Sequence, residues 1–144
     1  MIRERMATNC RTPGVALPMI EINLSPKESL VAARFRGAVT NTEFADLAAT
    51  IADVGSPCSV LICLDWVRVD RWTFAPAQVN GVTAWRKAAR MIERVAIIHD
   101  HHLNRQAAWL AAILRREGVT VRSWRPQNAG AARMWLGSGL RQPH

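Results

Sequence analysis

The chain has 144 residues, of which 49% are hydrophobic and 21% charged, with a mean hydropathy near zero, the profile of one folded globular unit. That length buries roughly 68–70% of the unfolded surface without staples and leaves no room for a second full domain. It excludes collagen-like and coiled-coil architectures, and no apolar run approaches the roughly 20 residues of a membrane-spanning helix.

Nineteen Lys and Arg against eleven Asp and Glu give a formal charge of +8. The cations, of which only Lys27 and Lys87 are lysine, are scattered from Arg3 to Arg141 in pairs at most, such as Arg115-Arg116. A nucleic-acid footprint would cluster them on one face, so no nucleic acid is expected, while peripheral contact with an anionic membrane stays compatible with the charge. Cys10, Cys58 and Cys63 form an odd set without CxxC spacing, which argues against a disulfide framework and against zinc. Arg3 and Arg5 precede no apolar signal core, so a cytoplasmic location is expected.

Residues 1–18 mix charge, Pro13, Gly14 and Pro18 without period and read as a flexible extension. The folded domain is expected over 19–137, with a frayed tail at 138–144. Met19 to Asn23 and Leu30 to Arg36 alternate about a turn at Ser25-Pro26-Lys27-Glu28, which predicts a β-hairpin. Thr40-Asn41-Thr42-Glu43 has the form of a capping box and opens a helix over 41–53, with Phe44, Leu47, Ala48 and Ile51 on one face. Ser59 to Leu64 is a continuous apolar run, as in a strand buried on both sides. A helix over 76–91 follows, then a strand over 94–98, a helix over 103–116 closed by Gly118 at C′, a strand over 119–124 and a helix over 128–136. The order β-β-α-β-α-β-α-β-α predicts an α/β domain: one mixed, mostly parallel five-stranded sheet with helices packed on it and an antiparallel hairpin at one side.

The motifs that carry a likeness are Met19-Ile20-Glu21-Ile22, Leu61-Ile62-Cys63-Leu64-Asp65, the segment from Glu93 to Asp100, and Val121-Arg122-Ser123-Trp124 followed by Ala131 to Leu136. In their order and spacing they resemble the SpoIIAA-like branch of the STAS superfamily, small bacterial α/β domains related in fold to anti-sigma-factor antagonists. The resemblance covers residues 19–137. It implies a non-enzymatic regulatory domain that binds a partner protein or a small ligand. In antagonists of that superfamily a Ser or Thr at the start of the helix after the central strand is phosphorylated, within an Asp-Ser-Ser-Gly motif. This chain reads Asp65-Trp66-Val67-Arg68-Val69-Asp70-Arg71-Trp72-Thr73 there. Thr73 is the one hydroxyl and no Gly follows it, so the phosphoswitch is not carried over.

Two constellations invite a chemical reading. His99-Asp100-His101-His102 holds ligand-type residues, but alternation at a strand end lets at most two converge, so no metal or other cofactor is expected, and Asp100 or Asn104 suits helix capping instead. Asp65 and Asp100 end neighbouring strands, where paired carboxylates could do acid–base work or simply cap loops. No G-x-S-x-G, HExxH, P-loop or GxGxxG motif is present, and no enzymatic activity is expected.

Open α/β sheets bind ligands at the carboxyl ends of their strands, at a topological switch point. Asp65, Trp66, Trp72, Thr73, Trp85, His99, Asp100 and His101 are therefore the candidate ligand- or partner-binding residues. Six Trp, three Phe and no Tyr put Trp66, Trp72 and Trp85 in or beside a long segment that could lid an apolar pocket, or pack as core. The expected function is a STAS-like protein-interaction domain; the alternative is a carrier or sensor of an apolar small molecule or lipid in a Trp-lined pocket at that edge. Homodimers are the commonest assembly of small domains, which makes one the prior here.

Overall fold

The computed structural model describes residues 20–25, 30–53, 59–72 and 79–141. The strands are β1 (Ile20–Ser25), β2 (Leu30–Val39), β3 (Val60–Trp72), β4 (Ile92–Ile98) and β5 (Thr120–Trp124). The helices are α1 (Asn41–Ala52), α2 (Val79–Ala89), α3 (Asn104–Arg116) and α4 (Ala129–Arg141). One five-stranded sheet runs β1-β2-β3-β4-β5. β1 and β2 pair antiparallel, Ile22 opposite Ala33, and every later pair is parallel. The predicted order and the hairpin at one side are both present.

Local chemistry explains the boundaries. The Glu43 N–H donates to Thr40 Oγ1 and the Thr40 N–H to Glu43 Oε1, each at 3.1 Å, so the capping box of α1 is closed on both sides. At the far end of α3, Gly118 takes a φ of +92°, where a side chain would be strained. Its N–H bonds the Arg115 carbonyl and the Val119 N–H bonds that of Leu114, the Schellman closure expected of a C′ glycine.

Strand order determines what each face of the sheet receives. β2 to β5 are laid down in sequence without reversal, so right-handed crossovers put α1, α2 and α3 on the same face. The main core lies there: Val31, Ala33 and Phe35 of β2, Ile62, Leu64 and Trp66 of β3, and Val95 and Ile97 of β4 meet Phe44, Ile51, Trp85 and Leu110. The alternate residues Leu61, Cys63, Ala96 and Ile98 face the other way and meet Ala132 and Leu136 of α4 alone.

Three expectations need correction. β3 does not end at Leu64 but runs to Trp72, pairing with β2 through bulges between Arg34 and Arg36 and between Gly37 and Ala38. Residues 65–72 are therefore strand and no lid, because Trp66, Val69 and Trp72 each find a buried place on the helix-covered face. α4 reaches Arg141, so residues 138–141 are helix and no frayed tail. Its last turn is tied to β4, where the Arg94 guanidinium donates to the Trp135 carbonyl at 3.0 Å and to Ser138 Oγ at 3.3 Å. The flexible extension read at 1–18 lies outside the described residues, as do 142–144.

Thr40→Ala is expected to lower the unfolding free energy by about 1 kcal/mol, and Phe44→Ala, at the centre of the aromatic layer, by about 3–5 kcal/mol. Urea midpoints of the two variants check both values. Equal, small losses would mean that the layer around Phe44 is not the packed core described.

Candidate functional site

The carboxyl edge of the sheet holds most of the sequence-predicted site residues, but as structural members. Trp66 and Trp85 are fully buried and Trp72 nearly so. They stack around Phe44, with ring centroids 4.6 Å from Trp85, 4.8 Å from Trp72 and 6.0 Å from Trp66. Trp66 and Trp72 meet edge to face at 5.0 Å, and Phe35 closes the layer. Trp72 Nε1 donates to Asn41 Oδ1 at 3.0 Å. The indole nitrogens of Trp66 and Trp85 and Oε1 of Gln106 are buried without a hydrogen-bond partner. Among the described residues the expected Trp-lined pocket is thus corrected: these rings are buried and fill the space between sheet and helices. The strand order supplies the reason, since a sheet that never reverses has no switch-point crevice.

The other candidates point to separate partners. β4's last pairing with β3 is Ile98 beside Asp65, and from there β3 continues paired with β2 only, its β4 side open. His102 and Gln106, one helical turn apart, reach its open edge, with His102 Nε2 3.1 Å from the Val69 carbonyl and Gln106 Nε2 donating to the Trp72 carbonyl at 3.2 Å. A carbonyl accepts only, so His102 carries its proton on Nε2 there. His99 is buried, its Nδ1 2.8 Å from the Asp100 carbonyl and its ring 6.2 Å from that of Trp66. His101 pairs with Arg125. Asp100 makes no side-chain cap, and neither does Asn104, which lies inside α3 rather than at its N-cap. Asp65 accepts from the Val67 N–H at 3.1 Å. Among the described residues no three His, Cys, Asp or Glu gather as a metal site would need. Thr73 lies outside the described residues.

Among the described residues, a concave feature with an apolar lining lies on the opposite face. α4 packs on β4, β5 and part of β3, and beside it a groove of about 210 Å³ opens over β2 and β3. Its walls are Leu30, Ala32, Leu61, Cys63, Arg133, Leu136 and Gly137. Small residues make the space: Ala32 and Cys63 lie side by side in register on neighbouring strands, and Gly137 adds no side chain above them. Burial pushes the Cys63 thiol above its usual range; Arg133 opposes that rise and Asp65 adds to it. Sequence reading missed this groove because the run Leu61 to Leu64 shows only that both faces are buried. The available signal was the alternation of small and large residues on the positions facing α4.

At the far edge, β1 has no strand beyond it among the described residues. Ile22 and Leu24, on one face of it, are 37% and 52% exposed.

The fold defined by this geometry is SpoIIAA-like. Among solved structures the chain is similar to an uncharacterized protein from the DUF3478 family with a SpoIIAA-like fold from Shewanella loihica PV-4. The TM-score is 0.55 at 19% identity, covering 90% of this chain and 99% of that one. No sequence-family description matches the chain. No curated protein matches it either.

Alkylation of Cys63, followed by peptide mass mapping, is expected to be at least about tenfold slower in the folded protein at pH 8 than in guanidinium. Asp65→Asn should speed it and Arg133→Gln should slow it, following the directions of their fields. The raised thiol also stabilises the fold only while it stays protonated. The unfolding free energy should therefore fall as pH climbs above the unfolded thiol value of about 8.5. A slower reaction in Asp65→Asn would contradict this electrostatic picture.

Proposed function

We propose that the chain is a non-enzymatic binding domain of regulatory type, and that its partner is a protein engaged at the β1 edge. The observation that supports this is the edge itself. Among the described residues no strand pairs with the outer edge of β1, and the side chains of Ile22 and Leu24 are exposed there. An apolar edge strand invites pairing with another chain, and strand addition is a recurrent mode of peptide recognition. The non-enzymatic reading is supported by the divergence of the titratable side chains: His99, His101, His102 and Asp65 each serve a different local partner. Catalysis would need them to converge on one reacting atom.

A second reading, a carrier or sensor of a small apolar ligand, is favoured by the groove beside α4. This reading moves the ligand from the aromatic layer to the opposite face of the sheet.

A photo-crosslinking residue placed at Leu24 in cells that make the full chain tests the interaction reading. Adducts with one protein, or with a second copy of this chain, are expected there and not at the exposed Gln127. Ile22→Lys should remove them while leaving the unfolding free energy from urea titration within about 0.5 kcal/mol of the parent, as exposed substitutions do. Equal labelling at both positions would refute the edge as the docking surface.

A further inference from the structure

The groove beside α4 combines features that specify a ligand class. Its floor is apolar, from Leu30, Ala32 and Leu61, and Leu136 closes one side. At about 210 Å³ it has room for one short chain, with a polar end left at its open rim. One cation stands on its wall: Arg133 is exposed and has no carboxylate within ion-pair distance among the described residues. Its field nevertheless reaches the buried Cys63 thiol in the floor, so the charge and the apolar floor belong to one small volume. A neutral hydrocarbon would leave that guanidinium unused, and a small polar anion would leave the floor wet. A guanidinium matches the two oxygens of a carboxylate with two parallel hydrogen bonds.

We propose that this groove binds a medium-chain carboxylate as a free monomer, with the chain on Leu30, Ala32, Leu61 and Leu136 and the carboxylate on Arg133. This rests on the small-ligand reading above and adds the charge and length of the ligand. Cys63, at the base of the groove, reports occupancy, because a chain lying over it shields the thiol from reagents.

The test is calorimetric titration of the full chain with octanoate, 1-octanol and acetate, with Cys63 alkylation followed in parallel. Octanoate is expected to bind at submillimolar concentration and to slow Cys63 alkylation at least threefold, with 1-octanol at least tenfold weaker and acetate silent. Arg133→Gln, an exposed change that spares the fold, should weaken octanoate at least tenfold and bring it level with 1-octanol. Ala32→Phe should fill the groove and abolish both. Should 1-octanol bind as tightly as octanoate in the parent chain, the carboxylate assignment is overturned while the small-ligand reading stands. If neither binds at millimolar concentration, both fall. Uptake by phosphatidylglycerol vesicles that depends on Arg133 but survives Ala32→Phe, without octanoate binding, would assign the arginine to a lipid surface and overturn the proposal.

Discussion

A sheet whose strands never reverse direction of growth constrains everything else in this molecule. Because β2, β3, β4 and β5 follow one another across the sheet, each right-handed crossover returns to the same side, and three helices crowd onto one face. The large rings go where three helices demand volume: Phe35, Phe44, Trp66, Trp72 and Trp85 form one continuous aromatic layer. Among the described residues the other face receives only the helix after the last crossover. α4 covers the β4 and β5 side, and the β2 side is left with small residues and a groove. Burial of the tryptophans and openness of the groove are thus two results of one topology.

The same topology creates a difficulty at β3, which outruns β4 and would leave carbonyls open beside the core. An unpaired buried carbonyl costs about 1–3 kcal/mol. His102 and Gln106 supply side-chain donors where a strand would have supplied backbone ones. Gln106's orientation follows from this: its amide nitrogen must face the Trp72 carbonyl, which turns Oε1 inward without a partner. One member of a histidine cluster that looks like metal chemistry, His102, thus helps to finish a sheet edge.

Much of the fold was legible because its signals are local. The capping box at Thr40 and Glu43, the C′ glycine at 118 and the alternation in β2 each depend on neighbours within a few residues. The length of β3 was not legible. Asp65, Arg68, Asp70 and Arg71 break its apolar pattern, and only pairing with β2 through two bulges keeps Trp66, Val69 and Trp72 on the core face. The shape of the candidate site was not legible for a related reason. Trp66, Trp72, His99 and Asp100 lie near one edge, but whether an edge opens into a crevice depends on strand order, which no residue pattern encodes. The groove depends on which strands α4 leaves uncovered, a tertiary fact of the same kind.

Charge shows the same separation between composition and placement. A formal +8 suggests a surface waiting for anions, yet many of the arginines serve the fold. Arg94 and Arg115 donate to backbone carbonyls of Trp135 and Val121. Arg122 lies over the rings of Trp124 and Trp135, which Arg94 also covers. Arg86 pairs with Glu117. The guanidiniums of Arg94, Arg115 and Arg122 bind α4 and α3 to the sheet through contacts that a planar, permanently charged group makes better than an ammonium. Arg133 differs in position rather than in kind: it stands on the helix that makes those contacts, two residues before Trp135, over an apolar groove. Among the described residues no carbonyl, ring or carboxylate is in place to receive its guanidinium.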